Sequence, residues 1–187
     1  MSLNDFLYYL GWGFIGYELL IVLWFLVTQF PKHSWSLFFS RHQSLNSLQL
    51  HEMHSCFMSA VVFMLFHTFG GEVEQYLLSL EFKQINRIKV FYTGVIAHFF
   101  ICLLTMYVVH RLRGCLFSKT ARICMYMIFL FSALSFMELI ARGYFDYHEL
   151  GMVYRIGGWA CNIIVIAALS IYPIRQTLAY FQTQREA

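Results

Sequence analysis

Charged side chains make up only 12% of the 187 residues, about half the usual share of about 25% in a soluble domain. So few charges cannot cover the surface of a water-soluble fold of this size, which excludes a soluble globular enzyme. Proline is rarer still, with 2 residues, and glycine numbers 11, which excludes collagen-like and Pro-rich architectures. No CxxC pair occurs among Cys56, Cys102, Cys115, Cys124 and Cys161. An odd, scattered set of this kind reads as buried or free thiols, not as a disulfide framework or a zinc site. No N-x-[ST] sequon is present, a feature compatible with a bacterial source. No positively charged n-region precedes the first apolar run, whose first basic residue is Lys32, so a cleavable signal peptide is not expected. The formal net charge of +3 is too small and too dispersed for nucleic acid.

What the chain has instead is apolar length. Hydrophobic residues account for 59% of it and aromatics for 19%, far from the low hydrophobicity and high charge of a disordered segment. Five stretches approach the roughly 20 residues that about 30 Å of hydrocarbon requires. They fall at about 10–30, 52–70, 88–110, 122–141 and 156–174. The second is the weakest, because HEMHSCF opens it with polar residues, and a four-span alternative would demote it to a re-entrant segment. The fold expected is therefore all-α: one integral membrane domain over 1–187, a polytopic bundle of about five transmembrane helices.

Placing the N-terminus outside leaves eight of the 13 Lys and Arg residues in cytoplasmic segments. Arg111, Arg113, Lys119 and Arg122 lie in one short loop and form its strongest anchor. This predicts an N-out, C-in orientation in a bacterial inner membrane. Residues 33–50 mix aromatics with Ser, Gln and Asn, as an interfacial helix does. Residues 71–86 carry Val73, Leu77, Leu80 and Gln84 on one stripe, and Gly70-Gly71 opens them. They predict a separate short amphipathic helix. Pro31 and Pro173 are expected to terminate helices at span ends.

Ionisable side chains inside spans are costly and are functional candidates by default. Here they are Glu18, His54, His67, His98, His110 and Glu138, with Asn162 as a neutral companion. His54 and His110 fall near one membrane face, and His67 and His98 about 18–20 Å further in, at 1.5 Å of rise per residue. Two such tiers of imidazole resemble the paired membrane histidines of b-type cytochromes and ferric-reductase-like proteins. That resemblance implies haem b held by His54, His67, His98 and His110, and it rests on these four residues alone. The faces do not follow the depths: 13 residues from His54 to His67 turn the helix by about 220°, and 12 from His98 to His110 by about 120°.

By depth alone, Glu18 matches His98 and His67 matches Glu138. Such pairs either hold a proton or metal in transit, or merely satisfy each other. HEMH at 51–54 lacks the i, i+4 spacing of a zincin, and HRLRGC at 110–115 reads as a topology anchor, not a phosphate site. Gly11, Gly13 and Gly16 match GxGxxG without a preceding strand. They predict a helix-packing face, as do Gly157 and Gly158.

No nucleophile–base pair or complete metal motif stands out. The leading expectation is a small membrane subunit without catalysis of its own: an anchor, sensor, immunity-type or effector protein acting through helix packing. It would form a homo-oligomer or join a membrane or cytoplasmic partner. The alternatives are a haem b electron carrier and an oligomeric ion channel or proton-coupled transporter.

Overall fold

A computed structural model of the chain describes residues 3–38, 45 and 47–186. Among these there is no strand. Five long helices, α1 (Leu3–His33), α2 (Leu48–Ser79), α3 (Gln84–Arg113), α4 (Lys119–Tyr144) and α5 (Gly151–Glu186), are joined by short turns and one 3-10 turn, Ser34–Leu37. All five are long and apolar enough to cross a membrane, which marks the chain as a multi-pass integral membrane protein. At about 1.5 Å per residue they are roughly 39–54 Å long, so each exceeds a hydrocarbon layer of about 30 Å. Their outward faces are apolar, with Phe100, Leu104, Phe129, Phe136 and Ile171 all more than half exposed. A surface of that kind is suited to lipid and unsuited to water.

Contacts fix the direction of each helix. Tyr17 meets Ser170, and Trp24 meets Thr177, so α1 and α5 run parallel. Ser55 meets His110 while Leu77 lies against Gly94, so α2 and α3 run antiparallel. Tyr92 meets Glu138, and Lys89 lies over the Tyr144 ring, which sets α4 against α3 in the same sense. The N-terminus of α1 and the α2–α3 and α4–α5 turns therefore share one end, called here the amino-terminal end. The 3-10 turn, the α3–α4 loop and the C-terminus share the other.

The helix ends follow local chemistry. Ser47 accepts from the Leu50 N–H and Ser118 from the Ala121 N–H, satisfying donors that an α-helix leaves free at its start. Gly114 closes α3 in the left-handed region at φ 68°, a conformation that costs an L-residue more than glycine. α2 departs from the sequence expectation. It runs unbroken through Gly70 and Gly71 to Ser79, so residues 71–79 are its last turns and not a separate interfacial helix. Two mid-helix glycines weaken a helix by about 1 kcal/mol each. Here the overhanging stripe is held, because Leu77 occupies the space that a side chain at Gly94 would need. Within 33–50 the described structure is the 3-10 turn and the start of α2. Residues 39–44 and 46, with Arg41 and His42, lie outside the described residues.

The prolines also correct the sequence reading. Pro31 and Pro173 lie inside α1 and α5, and α5 continues past Pro173 to Glu186. Neighbouring helices make the loss of one backbone hydrogen bond tolerable in a membrane bundle.

The two glycine faces separate. Gly157 lies beneath Leu134 and Gly158 beneath Phe131, which draws α5 close to α4. A Cβ added at Gly11, Gly13 or Gly16 would meet nothing within 4 Å. The tight core lies toward the carboxy-terminal end, where Phe25, Leu37, Phe57, Met106 and Leu169 are at most 2% exposed. All five cysteines are free and buried. The amino-terminal half is less filled.

Candidate functional site: a polar cavity between the helices

That underfilled half holds a cavity of about 530 Å³ to which all five helices contribute. Its apolar wall is aromatic, with Trp12, Phe63, Phe66, Phe99, Phe131 and Trp159. Its polar lining includes His67, Glu72, Glu74, Gln75, Tyr92, His98, Arg142, Tyr154, Arg155 and Asn162. Three of the five residues expected to form an intramembrane polar cluster, His67, His98 and Asn162, thus face one space. The other two, Glu18 and Glu138, are 1% and 0% exposed and stand behind the wall, each holding a residue that lines it.

The pairing differs from that expected from depth. Glu18 binds His67, not His98: His67 Nδ1 lies 3.0 and 3.1 Å from the two carboxylate oxygens. α1 packs on α2 and α5, so α2 supplies the imidazole. Glu138 binds neither His67 nor any other histidine. It forms an ion pair with Arg142 one turn along α4 and accepts from the Tyr92 hydroxyl at 3.3 Å. Its Oε1 has no hydrogen-bond partner, and Arg142 Nε meets Glu138 as a charge contact without hydrogen-bond alignment. The absence of a side chain at Gly151 leaves room for the Arg142 guanidinium at the cavity rim. His98 stacks obliquely on Phe66 at 5.2 Å between ring centroids.

His54 and His110 lie away from the cavity, at the carboxy-terminal end. His110 Nδ1 lies 2.7 Å from the Met106 carbonyl oxygen. A carbonyl only accepts, so Nδ1 carries the proton, and Nε2 is left to accept from Ser55 Oγ at 2.9 Å. The Ser118 N–H donates to Ser55 Oγ at 2.9 Å, and the Ser118 hydroxyl lies 3.0 Å from it. The spacing is that of a nucleophile and its base. Ser55, however, has no exposed surface and does not line the cavity. The network ties the α3–α4 loop to α2. His54 accepts from Arg113 Nη2 at 2.9 Å.

Among the four residues singled out as haem ligands, both ring nitrogens of His110 and one each of His54 and His67 are thus engaged by protein groups. No group of three or more His, Cys, Asp or Glu side chains among the described residues could hold a metal ion.

Several members of these networks were not singled out from the sequence. Arg142 carried a signal in its i, i+4 spacing from Glu138. Tyr92, Ser55 and Ser118 carried none, because their partners lie 46 to 63 residues away. Arg113, read from the sequence as an interfacial anchor, is 4% exposed.

No protein-family model, curated protein or solved structure matches this chain. The class that fold and site define is a multi-pass helical membrane protein with a polar cavity at one end of the bundle.

Proposed function

We propose that this protein works by binding, without catalysis of its own, and that its cavity takes a small amphipathic ligand. The observation that carries the reading is the lining: aromatic side chains on one part of the wall, and two arginines, two carboxylates and two histidines on the rest. An apolar pocket with a few convergent polar groups is the usual form of a small-molecule site. The aromatic wall suits the ligand's apolar body, and Arg142, Arg155 and His98 suit a polar or anionic head. Because all five helices meet the cavity, occupancy bears on how they pack, as a sensor or effector subunit requires.

The excess of Lys and Arg at the carboxy-terminal end supports an N-out, C-in orientation, with the cavity facing outward from a bacterial inner membrane. The exposed Gly13 and Gly16 leave room for a helix of a second copy or of a partner to approach α1.

Gly11 lines the cavity, and a Cβ added there meets nothing within 4 Å, so Gly11→Trp sets a bulky side chain at the cavity wall. Protein extracted from its own membranes in mild detergent is compared by native mass spectrometry with this variant. A species of defined mass held by the unaltered protein and lost from a folded Gly11→Trp is expected. An unaltered protein that holds nothing beyond detergent, or a variant that keeps the same species, would refute the reading.

Proton-coupled transport is the second reading, and the Glu18–His67 pair favours it because His67 faces the cavity. Proton flux into protein-loaded vesicles, abolished by Glu18→Gln, would select it. An absorption spectrum before and after dithionite tests the haem alternative independently.

A further inference from the structure

At the end opposite the cavity, the α3 terminus leaves a buried cation without a counter-charge. Arg113 is 4% exposed and His54 is 1% exposed. Arg113 Nη2 donates to His54 Nε2 at 2.9 Å, but Arg113 Nε and Nη1 and His54 Nδ1 have no hydrogen-bond partner. With Nε2 accepting, Nδ1 carries the proton of a neutral imidazole. The Leu37 carbonyl faces the His54 ring without an aligned hydrogen bond, so the atoms that lack an acceptor outright are the two Arg113 donors.

Among the described residues no carboxylate pairs with Arg113. No acidic residue occurs between Glu18 and Glu52 or between Glu81 and Glu138. Glu52 is held by Arg175 at 2.7 Å. The rings of His33 and His54 lie 5.9 Å apart, and Lys32 precedes His33, so the surroundings add positive charge. A buried guanidinium stays charged, and unpaired burial of such a charge is strongly unfavourable. Buried donors without partners in a folded protein call for a bound water or ion.

We infer that Arg113 and His54 form an oxyanion site whose ligand is a phosphate group, carried by an anionic lipid headgroup or by a free phosphate. Guanidinium N–H groups and phosphate oxygens match in geometry as well as charge. The site stands at the end of α3, where anionic lipid of the cytoplasmic leaflet is in reach under an N-out, C-in orientation. It depends in no way on the cavity at the other end.

The test uses the full chain, in vesicles of phosphatidylcholine alone and of phosphatidylcholine mixed with phosphatidylglycerol, and in neutral detergent with and without inorganic phosphate. The unaltered protein is expected to melt at higher temperature with phosphatidylglycerol. It should also retain that lipid over phosphatidylcholine by about tenfold, the discrimination expected of one charge-assisted hydrogen bond. Arg113→Met keeps the bulk of the side chain and should lose both effects; His54→Phe, which removes the other donor, gives the same comparison where the first variant does not fold. Stabilisation by inorganic phosphate in detergent identifies a free anion as sufficient, and stabilisation by phosphatidylglycerol alone identifies the headgroup. An unaltered protein indifferent to both anions overturns the inference. So does Arg113→Met that keeps the discrimination, or that is more stable than the unaltered protein in phosphatidylglycerol.

Discussion

The Glu18–His67 contact lends itself to a double-mutant cycle of Glu18→Gln, His67→Phe and the pair. Glu18 has a side-chain exposure of 2% and His67 of 25%, so water screens the imidazole in part and the carboxylate hardly at all. A hydrogen bond to a charged group contributes about 1.5–3 kcal/mol net, and the partial exposure of His67 argues for the lower half of that range. Each single variant strands one partner and is expected to lose about 2 kcal/mol. The double variant strands neither and should lose about the same, leaving a coupling energy of about 1.5–2 kcal/mol. Reversible unfolding in mixed micelles, followed by helical circular dichroism, reads all four proteins on one scale. A coupling below about 0.5 kcal/mol, which is simple additivity, would mean that the contact neither stabilises the bundle nor constrains a proton.

Other outcomes follow from the same geometry. Glu138→Ala removes the only ionic partner of Arg142 among the described residues and should destabilise the bundle by about 2–3 kcal/mol, below the 3–5 of a fully buried pair because Arg142 can rehydrate; His33→Ala should cost under about 1 kcal/mol, both read by the same unfolding assay. Gly158→Leu drives a side chain into Phe131 and should cost about 1–3 kcal/mol or more, whereas Gly13→Leu, facing open space, should not destabilise the monomer. Burial pushes the Cys115 thiol up to about 11. Its thiolate fraction at pH 8 is then on the order of 100-fold lower than that of an ordinary thiol. Maleimide labelling should be slow at neutral pH and rise only as pH climbs toward that value, and fast labelling at pH 7 would contradict the burial. A fluorophosphonate serine probe should leave Ser55 unlabelled; covalent modification there would show that the Ser55–His110 pair is reactive and reachable.

Helix number and rough position were legible in the sequence because a run of apolar residues is a one-dimensional signal. The helix ends were not, because backbone hydrogen bonding continues beyond the hydrocarbon: α1 reaches Leu3 and His33 where the apolar run suggests 10–30. Gly70-Gly71 looked like a break because local propensity is weighed without the partner at Gly94 that holds the stripe in place. Among the polar residues, depth was readable from spacing along a helix, and it put His67 and His98 at one level; both line the cavity, as does Asn162. Azimuth and neighbour identity were not, since they depend on which helix packs beside which. Glu18 was therefore matched to His98 on α3, although α2 supplies its partner. Arg113 was misread for a related reason. Its position in a basic loop says nothing of the direction of its side chain, which turns inward to His54.

The unbroken course of α2 has a consequence for how a ligand would arrive. With Glu52 at one boundary of a hydrocarbon layer of about 30 Å, the other boundary falls about 20 residues later, near Glu72. The last turns, to Ser79, then stand about 10 Å clear of the lipid tails. Glu72, Glu74 and Gln75, which line the cavity, lie at the water's edge. Under the binding reading proposed above, that placement would turn the polar side of the cavity toward the aqueous phase above the acyl chains.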